Sequence, residues 1–298
     1  MVNRVHGREE GSGMTERRNE DGKTWDPFPA SAADDSEAVE RTPDTPQTRS
    51  PTYRLAYADN DFLTSEPLRS VRLQLEMLKP EMALLEAGIL STVVLFGGAR
   101  IPEPGTEAWA ARNPGQKERL EANSRYYEVA RRFAALASTH SANSSGGKEF
   151  VIVTGGGPGV MEAGNRGAAD VGAVSIALNI TLPHEQAPNL FVTPELCFNF
   201  HYFAIRKMHF LLRARAMAIF PGGFGTLDEL MEALTLIQTG RMERMPVILF
   251  GKEFWDRLID FGFLAQEGTI APEDLGLISY AETAEEGWDI IRAFYDLP

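Results

Sequence analysis

A single cysteine, Cys197, is all the thiol chemistry that this chain of 298 residues carries. One thiol cannot close an intramolecular disulfide, and no Cys/His spacing suggests zinc. It reads as a small buried apolar residue. Long apolar runs are missing too: none approaches the ~18 residues that a bilayer span needs. The opening stretch MVNRVHGREEGSGMTERRNEDGKTWD has no apolar core of a signal peptide. The expectation is a soluble, cytoplasmic protein with no membrane partner. Positive charge is also short, with 29 Lys and Arg against 42 Asp and Glu, a net charge of −13. Nucleic acids attract clustered Lys and Arg, so none is expected here. A small phosphorylated ligand needs only local positive potential and remains admissible.

Several motifs are absent as well. No G-x-x-x-x-G-K-[ST] occurs, which argues against a P-loop NTPase. The turn GGGPG at 155–159 is not a clean G-x-G-x-x-G with an acid at the end of the next strand, which weakens a nicotinamide reading. No G-x-S-x-G marks a serine nucleophile.

What is present starts with a change of composition near residue 50. Residues 1–50 hold seven Lys/Arg and eleven Asp/Glu and few large apolar side chains. Such a segment buries too little apolar surface to offset its ordering entropy, so 1–50 is expected to be a disordered acidic tail and 51–298 a single domain. Residues 66–88 have Leu68, Val71, Leu75 and Leu78 at helical spacing, with Pro80 expected to break the segment. From residue 91 apolar strands and amphipathic helices alternate. Strands are expected at STVVLFGG (91–98), FVIV (150–153), AVSIALNI, NLFVT (189–193), MAIF, MPVILFG and GLISYA. Helices are expected near 117–138, 160–170, 198–214, after 227, from 254, and at 284–295. Continuously apolar strands alternating with helices indicate an α/β fold: a doubly wound, mostly parallel sheet with helices on both faces. Such sheets bind ligands at the carboxyl ends of their strands. Glycine turns at 97–98, 155–159 and 222–225 all lie at such ends and could share one cleft.

The turn FPGGFGTLDEL (220–230) admits two readings. Glycines let the backbone approach an anion, and the helix that follows offers free N–H groups and a partial positive charge. Thr226 to Glu229 also matches a T-x-x-E capping box, which is a purely structural device. The two are not exclusive. Upstream, IRKMHF places Arg206 and Lys207 on an aromatic-rich helix leading into the same sheet edge.

The pair at 206–207, the segment PGGFGTLDE at 221–229 and TGGGPGVMEAGNRGA at 154–168 together resemble the LOG family, the cytokinin riboside 5′-monophosphate phosphoribohydrolases, also described as lysine decarboxylase-like. The resemblance covers about 90–260. It implies a Rossmann-like fold, a homodimer or larger homo-oligomer, no cofactor and no metal. It also implies hydrolysis of the N-glycosidic bond of AMP or N6-substituted AMP to free base and ribose 5-phosphate. On this sequence the implied catalytic pair is Arg206 and Glu229. Implied substrate contacts are Lys207, Gly222, Gly223, Gly225, Thr226, Glu185 and Thr235, the turn Gly155, Gly156 and Gly157, and Gly98. Where many members carry Gly-Ser after the first strand, this chain reads FGGAR. The long segments outside the core resemble the longer bacterial-type members, for which plain AMP is the expected substrate. Nothing in the sequence marks a lysine for pyridoxal phosphate. Glu229, placed in the first turn of its helix, is expected to be ionised. A non-catalytic nucleotide carrier, similar to the molybdenum cofactor carriers, needs the phosphate loop but not the Arg/Glu pair. A DNA-processing protein of this fold is disfavoured by the acidic charge.

Overall fold

The computed structural model describes residues 31–182 and 187–298. The chain divides into two compact units after Arg69, later than the compositional change near residue 50. The first unit contains helices α1 (Ala32–Glu40) and α2 (Asn60–Leu63). Ser31 caps α1 with a complete Ser31/Asp34 capping box, and Asp59 caps α2 through the N–H groups of Asp61 and Phe62. Thus part of the segment expected to be a tail has local helical order.

The second unit is the α/β fold. Helix α3 (Arg69–Glu86) leads into β1 (Thr92–Phe96). There follow α4 (Pro114–Ala122), α5 (Arg125–Ser145), β2 (Val151–Thr154), α6 (Val160–Asp170), β3 (Ser175–Ile180) and β4 (Cys197–Phe200). The second half runs α7 (Phe203–Leu212), β5 (Ala214–Ile219), α8 (Phe224–Gln238), β6 (Val247–Phe250), α9 (Lys252–Leu258), α10 (Phe261–Gln266), β7 (Ile278–Ala281) and α11 (Ala284–Tyr295). The seven strands form one sheet in the order β4-β3-β2-β1-β5-β6-β7. All six pairings are parallel. Strand order reverses at β1, which is the switch point of a doubly wound sheet.

The two-residue period of a strand divides the core. Val93 and Leu95 face one layer, with Phe133 of α5, Val160 of α6 and Ile291 of α11. Val94 and Phe96 face the other, with Leu84 of α3, Phe210 of α7 and Leu230 of α8. Helices therefore cover both faces, as the alternating sequence pattern requires.

Four sequence expectations are corrected. Pro80 does not break α3; it sits buried inside the helix. Proline has no N–H for the carbonyl of Glu76, one turn back. His209 Nε2 lies 3.2 Å from that carbonyl. A carbonyl only accepts, so Nε2 carries the proton, and α7 supplies the bond that Pro80 withholds. Burial lowers the His209 pKa and keeps the ring neutral.

The fourth strand is Cys197–Phe200, not 189–193. It pairs with β3 and alternates buried Phe198 and Phe200 with exposed Asn199, an edge-strand pattern that was read as the start of a helix. The helix expected over 117–138 is two, because Asn113 and Pro114 start α4 early and it ends at Asn123. Cys197 is only half-buried, and desolvation raises its pKa. Among the described residues no helix is long and apolar enough to cross a membrane.

Candidate active site

The sheet order places β1 between β2 and β5, so the three glycine turns come together at one edge. They are fastened to each other. Gly98 N–H donates to the Pro221 carbonyl at 2.9 Å, and Val160 N–H donates to the Gly98 carbonyl at 3.3 Å. Gly159, at φ +69°, brings its Cα so close to this turn that a methyl there would lie 2.4 Å from the Gly98 oxygen. Only glycine tolerates that backbone and that approach.

A cavity of about 740 Å³ opens above these turns. It is lined by Gly98, Arg206, Gly222, Gly223, Gly225, Thr226 and Glu229, seven of the residues implied by the sequence motifs. Gly155, Gly156, Gly157, Lys207 and Thr235 lie elsewhere. A methyl on Gly155 would meet Arg206 Nη2 at 2.8 Å and one on Gly157 would meet Met161 Cε at 2.7 Å. That turn backs the lining side chains and does not line the cavity itself. Lys207 points to α8, with Nζ 2.9 Å from Asp228 Oδ1 and 3.0 Å from Glu232 Oε2. Thr235 donates its hydroxyl to the Met231 carbonyl at 2.7 Å and borders a separate apolar pocket beside Phe261 and Leu264. Glu185 lies outside the described residues.

The start of α8 decides between the two readings of its turn. The helix begins at Phe224, its N-cap is Gly223, and no side chain caps it. Thr226 is therefore inside the first turn and Glu229 inside the second, so the T-x-x-E capping box does not form. Gly222 makes this possible by lying against Thr226, where a methyl would fall 2.1 Å from Oγ1. The first intrahelical acceptor serves Leu227, whose N–H bonds the Gly223 carbonyl at 3.1 Å. The N–H groups of Phe224, Gly225 and Thr226 have no intrahelical acceptor, and all three residues line the cavity. This helix end provides hydrogen-bond donors and a positive dipole end for an anion.

Freed from capping, Glu229 is directed at Arg206. Arg206 Nε donates to the Leu178 carbonyl in β3, at 2.7 Å, and its guanidinium lies 5.0 Å from the centre of the Phe210 ring. Arg206 Nη1 and Glu229 Oε1 are 3.9 Å apart, with side chains 11% and 6% exposed. That gap is an ion contact without a hydrogen bond. Burial pushes the Glu229 carboxyl up to about 7, against the opposing pull of Arg206 and Lys207. Burial also lowers the Arg206 pKa, against the pull of Glu229. The sequence reading placed Glu229 in the first turn, where the dipole favours ionisation. One turn further in, desolvation dominates and the carboxyl is poised to gain or lose a proton near neutrality.

Sequence reasoning missed the residues that shape the second glycine turn. Gly156 N–H donates to Thr154 Oγ1 at 2.9 Å, and Thr154 Oγ1 donates to Asn165 Oδ1 at 2.7 Å. Asn189 Nδ2 reaches the carbonyls of Gly156 and Gly157, each at 3.1 Å. Asn165 is fully buried and bonds Ser175 Oγ at 3.0 Å. The Asn in GNRGA, inside the recognised motif, was the available signal for this network.

Residues 161–291 match the family described as "Possible lysine decarboxylase". A probable cytokinin riboside 5′-monophosphate phosphoribohydrolase from Oryza sativa subsp. japonica is 34% identical over 91 residues, 30% of this chain and 43% of that protein. Another cytokinin riboside 5′-monophosphate phosphoribohydrolase from the same plant is 39% identical over 83 residues, 27% of this chain and 34% of that protein. The chain thus spans less than half the length of these curated relatives. Among solved structures, the molybdenum cofactor carrier protein of Chlamydomonas reinhardtii aligns over 69% of this chain and 98% of its own, at 16% identity and a TM-score of 0.42.

Proposed function

We propose that this chain, whose residues 161–291 match the family described as "Possible lysine decarboxylase", hydrolyses the N-glycosidic bond of a nucleoside 5′-monophosphate, AMP or N6-substituted AMP. The products are the free base and ribose 5-phosphate. The observation that carries this reading is the buried Arg206–Glu229 pair on the wall of the cavity that also holds the uncapped start of α8. The matched relatives carry the name of the same reaction class.

In this mechanism the 5′-phosphate docks on the N–H groups of Phe224, Gly225 and Thr226. Its binding energy positions the sugar over the acid–base pair. Cleavage builds positive charge on the ribose ring. Ionised Glu229 stabilises that charge and takes a proton from the attacking water. The water oxygen bonds to the anomeric carbon, the bond to the base breaks, and the base leaves with its electron pair and gains a proton. Arg206 holds the carboxylate in place through its own anchor on Leu178. The chemistry needs no metal and no redox cofactor.

Incubating the purified chain with AMP and separating the products tests the reading. Adenine and ribose 5-phosphate in equal amounts are expected. Tight AMP binding with no adenine released points instead to a nucleotide carrier. Neither binding nor release for AMP and its N6-substituted forms rejects the nucleotide assignment.

A further inference from the structure

Four charged side chains line the cavity: Arg100, Arg206, Asp228 and Glu229. Three of them are committed. Arg206 faces Glu229, and Asp228 Oδ1 lies 2.9 Å from Lys207 Nζ. Among the described residues no hydrogen bond or ion pair engages Arg100. Its side chain is exposed, yet the backbone around it is fixed. Ile101 N–H donates to the Gly98 carbonyl at 3.3 Å, and Ile101 and Pro102 are buried. Glu103 is tied to α6, its Oε1 accepting from Arg166 Nη1 at 2.7 Å. Arg166 Nη1 also donates to the hydroxyl of the buried Tyr127 at 3.4 Å. Arg100 is therefore an uncommitted cation on a preorganised turn, which lowers the ordering cost of any contact it makes.

This turn is joined to the one that opens α8 through the bond from Gly98 N–H to the Pro221 carbonyl. Arg100 and the N–H groups of Phe224, Gly225 and Thr226 thus border one cavity. Charge decides what that pairing is for. A phosphate monoester carries about −1.5 to −2 near neutrality. The start of a helix answers with about +0.5. The pairs Arg206–Glu229 and Lys207–Asp228 cancel within themselves. Without Arg100, a bound phosphate lacks about one positive charge, in a cavity that already holds two carboxyl groups. An arginine fork can serve two phosphate oxygens while helix N–H groups serve the third.

We propose that Arg100 closes on the 5′-phosphate as its second anchor and sets the preference of this cavity for a nucleotide over the corresponding nucleoside. The inference rests on the reading of the cavity as a nucleotide site and adds to it a residue that determines specificity.

Calorimetric titration of the full chain with AMP and with adenosine tests it, alongside adenine release. Arg100→Gln is expected to weaken AMP binding by roughly 10- to 100-fold and adenosine binding by less than about twofold. Inorganic phosphate, competing with AMP, is expected to lose potency in the same variant. Arg100→Lys keeps the charge without the fork and is expected to bind AMP more tightly than Arg100→Gln. Unchanged AMP binding in Arg100→Gln, or equal weakening of AMP and adenosine, overturns the proposal. So does a lysine variant no tighter than the glutamine one, or an unchanged potency of inorganic phosphate. Adenine release separates this inference from the reading beneath it. If the unmodified chain releases adenine while Arg100→Gln keeps the AMP-to-adenosine affinity ratio, the Arg100 inference alone fails. If AMP binding depends on Arg100 and no adenine is released, hydrolysis fails and the Arg100 inference holds.

Discussion

At Glu229, burial and a neighbouring guanidinium pull the carboxyl in opposite directions, and burial wins. The consequence for stability has a definite sign. The folded-state pKa of about 7 lies above the ordinary 4.5, so between these values the folded chain holds a proton that the unfolded chain has released. Stability contributed by this site is fully present below pH 4.5 and is lost as pH rises through 7. Glu229→Gln removes the titration. Relative to the unmodified chain, the variant is expected to gain stability between pH 5 and pH 8, by up to roughly 3 kcal/mol, read from urea midpoints at the two pH values. Its turnover of AMP is expected to fall by about 10²- to 10⁴-fold. Turnover of the unmodified chain is expected to rise with pH and level off above about 7. A variant with full turnover, or a midpoint difference independent of pH, removes Glu229 from the mechanism.

Two elements show how a missing backbone bond is made good or put to use. In α3, Pro80 leaves the Glu76 carbonyl to His209. His209→Phe orphans that carbonyl and is expected to cost about 1–3 kcal/mol. Pro80→Ala restores an N–H one turn along, so the same His209 substitution is expected to cost less in that background, by about 0.5–2 kcal/mol. Additive effects in this double-mutant cycle contradict the account. In α8 the orphan groups are at the helix start and stay open. Gly222 has no room for a side chain against Thr226. Gly222→Ala is expected to displace the first turn and raise the KM for AMP more than tenfold while the far-ultraviolet spectrum barely changes. An unaltered KM shows that the turn does not hold the phosphate.

For the whole molecule, the two buried clusters draw on residues from Leu84 onward, and the division falls after Arg69. A chain beginning at Ser70 is therefore expected to unfold cooperatively and to keep its turnover of AMP, judged by thermal denaturation and adenine release. Loss of the cooperative transition locates part of the folding energy in the first unit. Topology also explains how distant sequence segments build one cavity. Order β2-β1-β5 places the turns after residues 96, 154 and 219 side by side, though more than a hundred residues separate the first from the last.

The alternation of apolar strands and amphipathic helices was enough to determine the sheet, its two helical layers and the strand ends where the glycine turns sit, because these depend on periods of 2 and 3.6 that local sequence carries. The family resemblance of the motifs, and not the alternation, implied that Arg206, Glu229 and the α8 turn share one site, and all three line one cavity. The local reading failed where a side chain had two partners to choose from. Thr226 and Glu229 spell a capping box, yet the helix starts earlier and turns Glu229 into the cavity. Pro80 spells a break, yet His209 from a distant helix satisfies the freed carbonyl. Lys207 and Thr235, which the resemblance implies as substrate contacts, are hydrogen-bonded to α8. The outcomes at Pro80 and Glu229 depend on burial and on a partner far away in sequence. Only the folded chain supplies these, and they also set the proton affinity of Glu229.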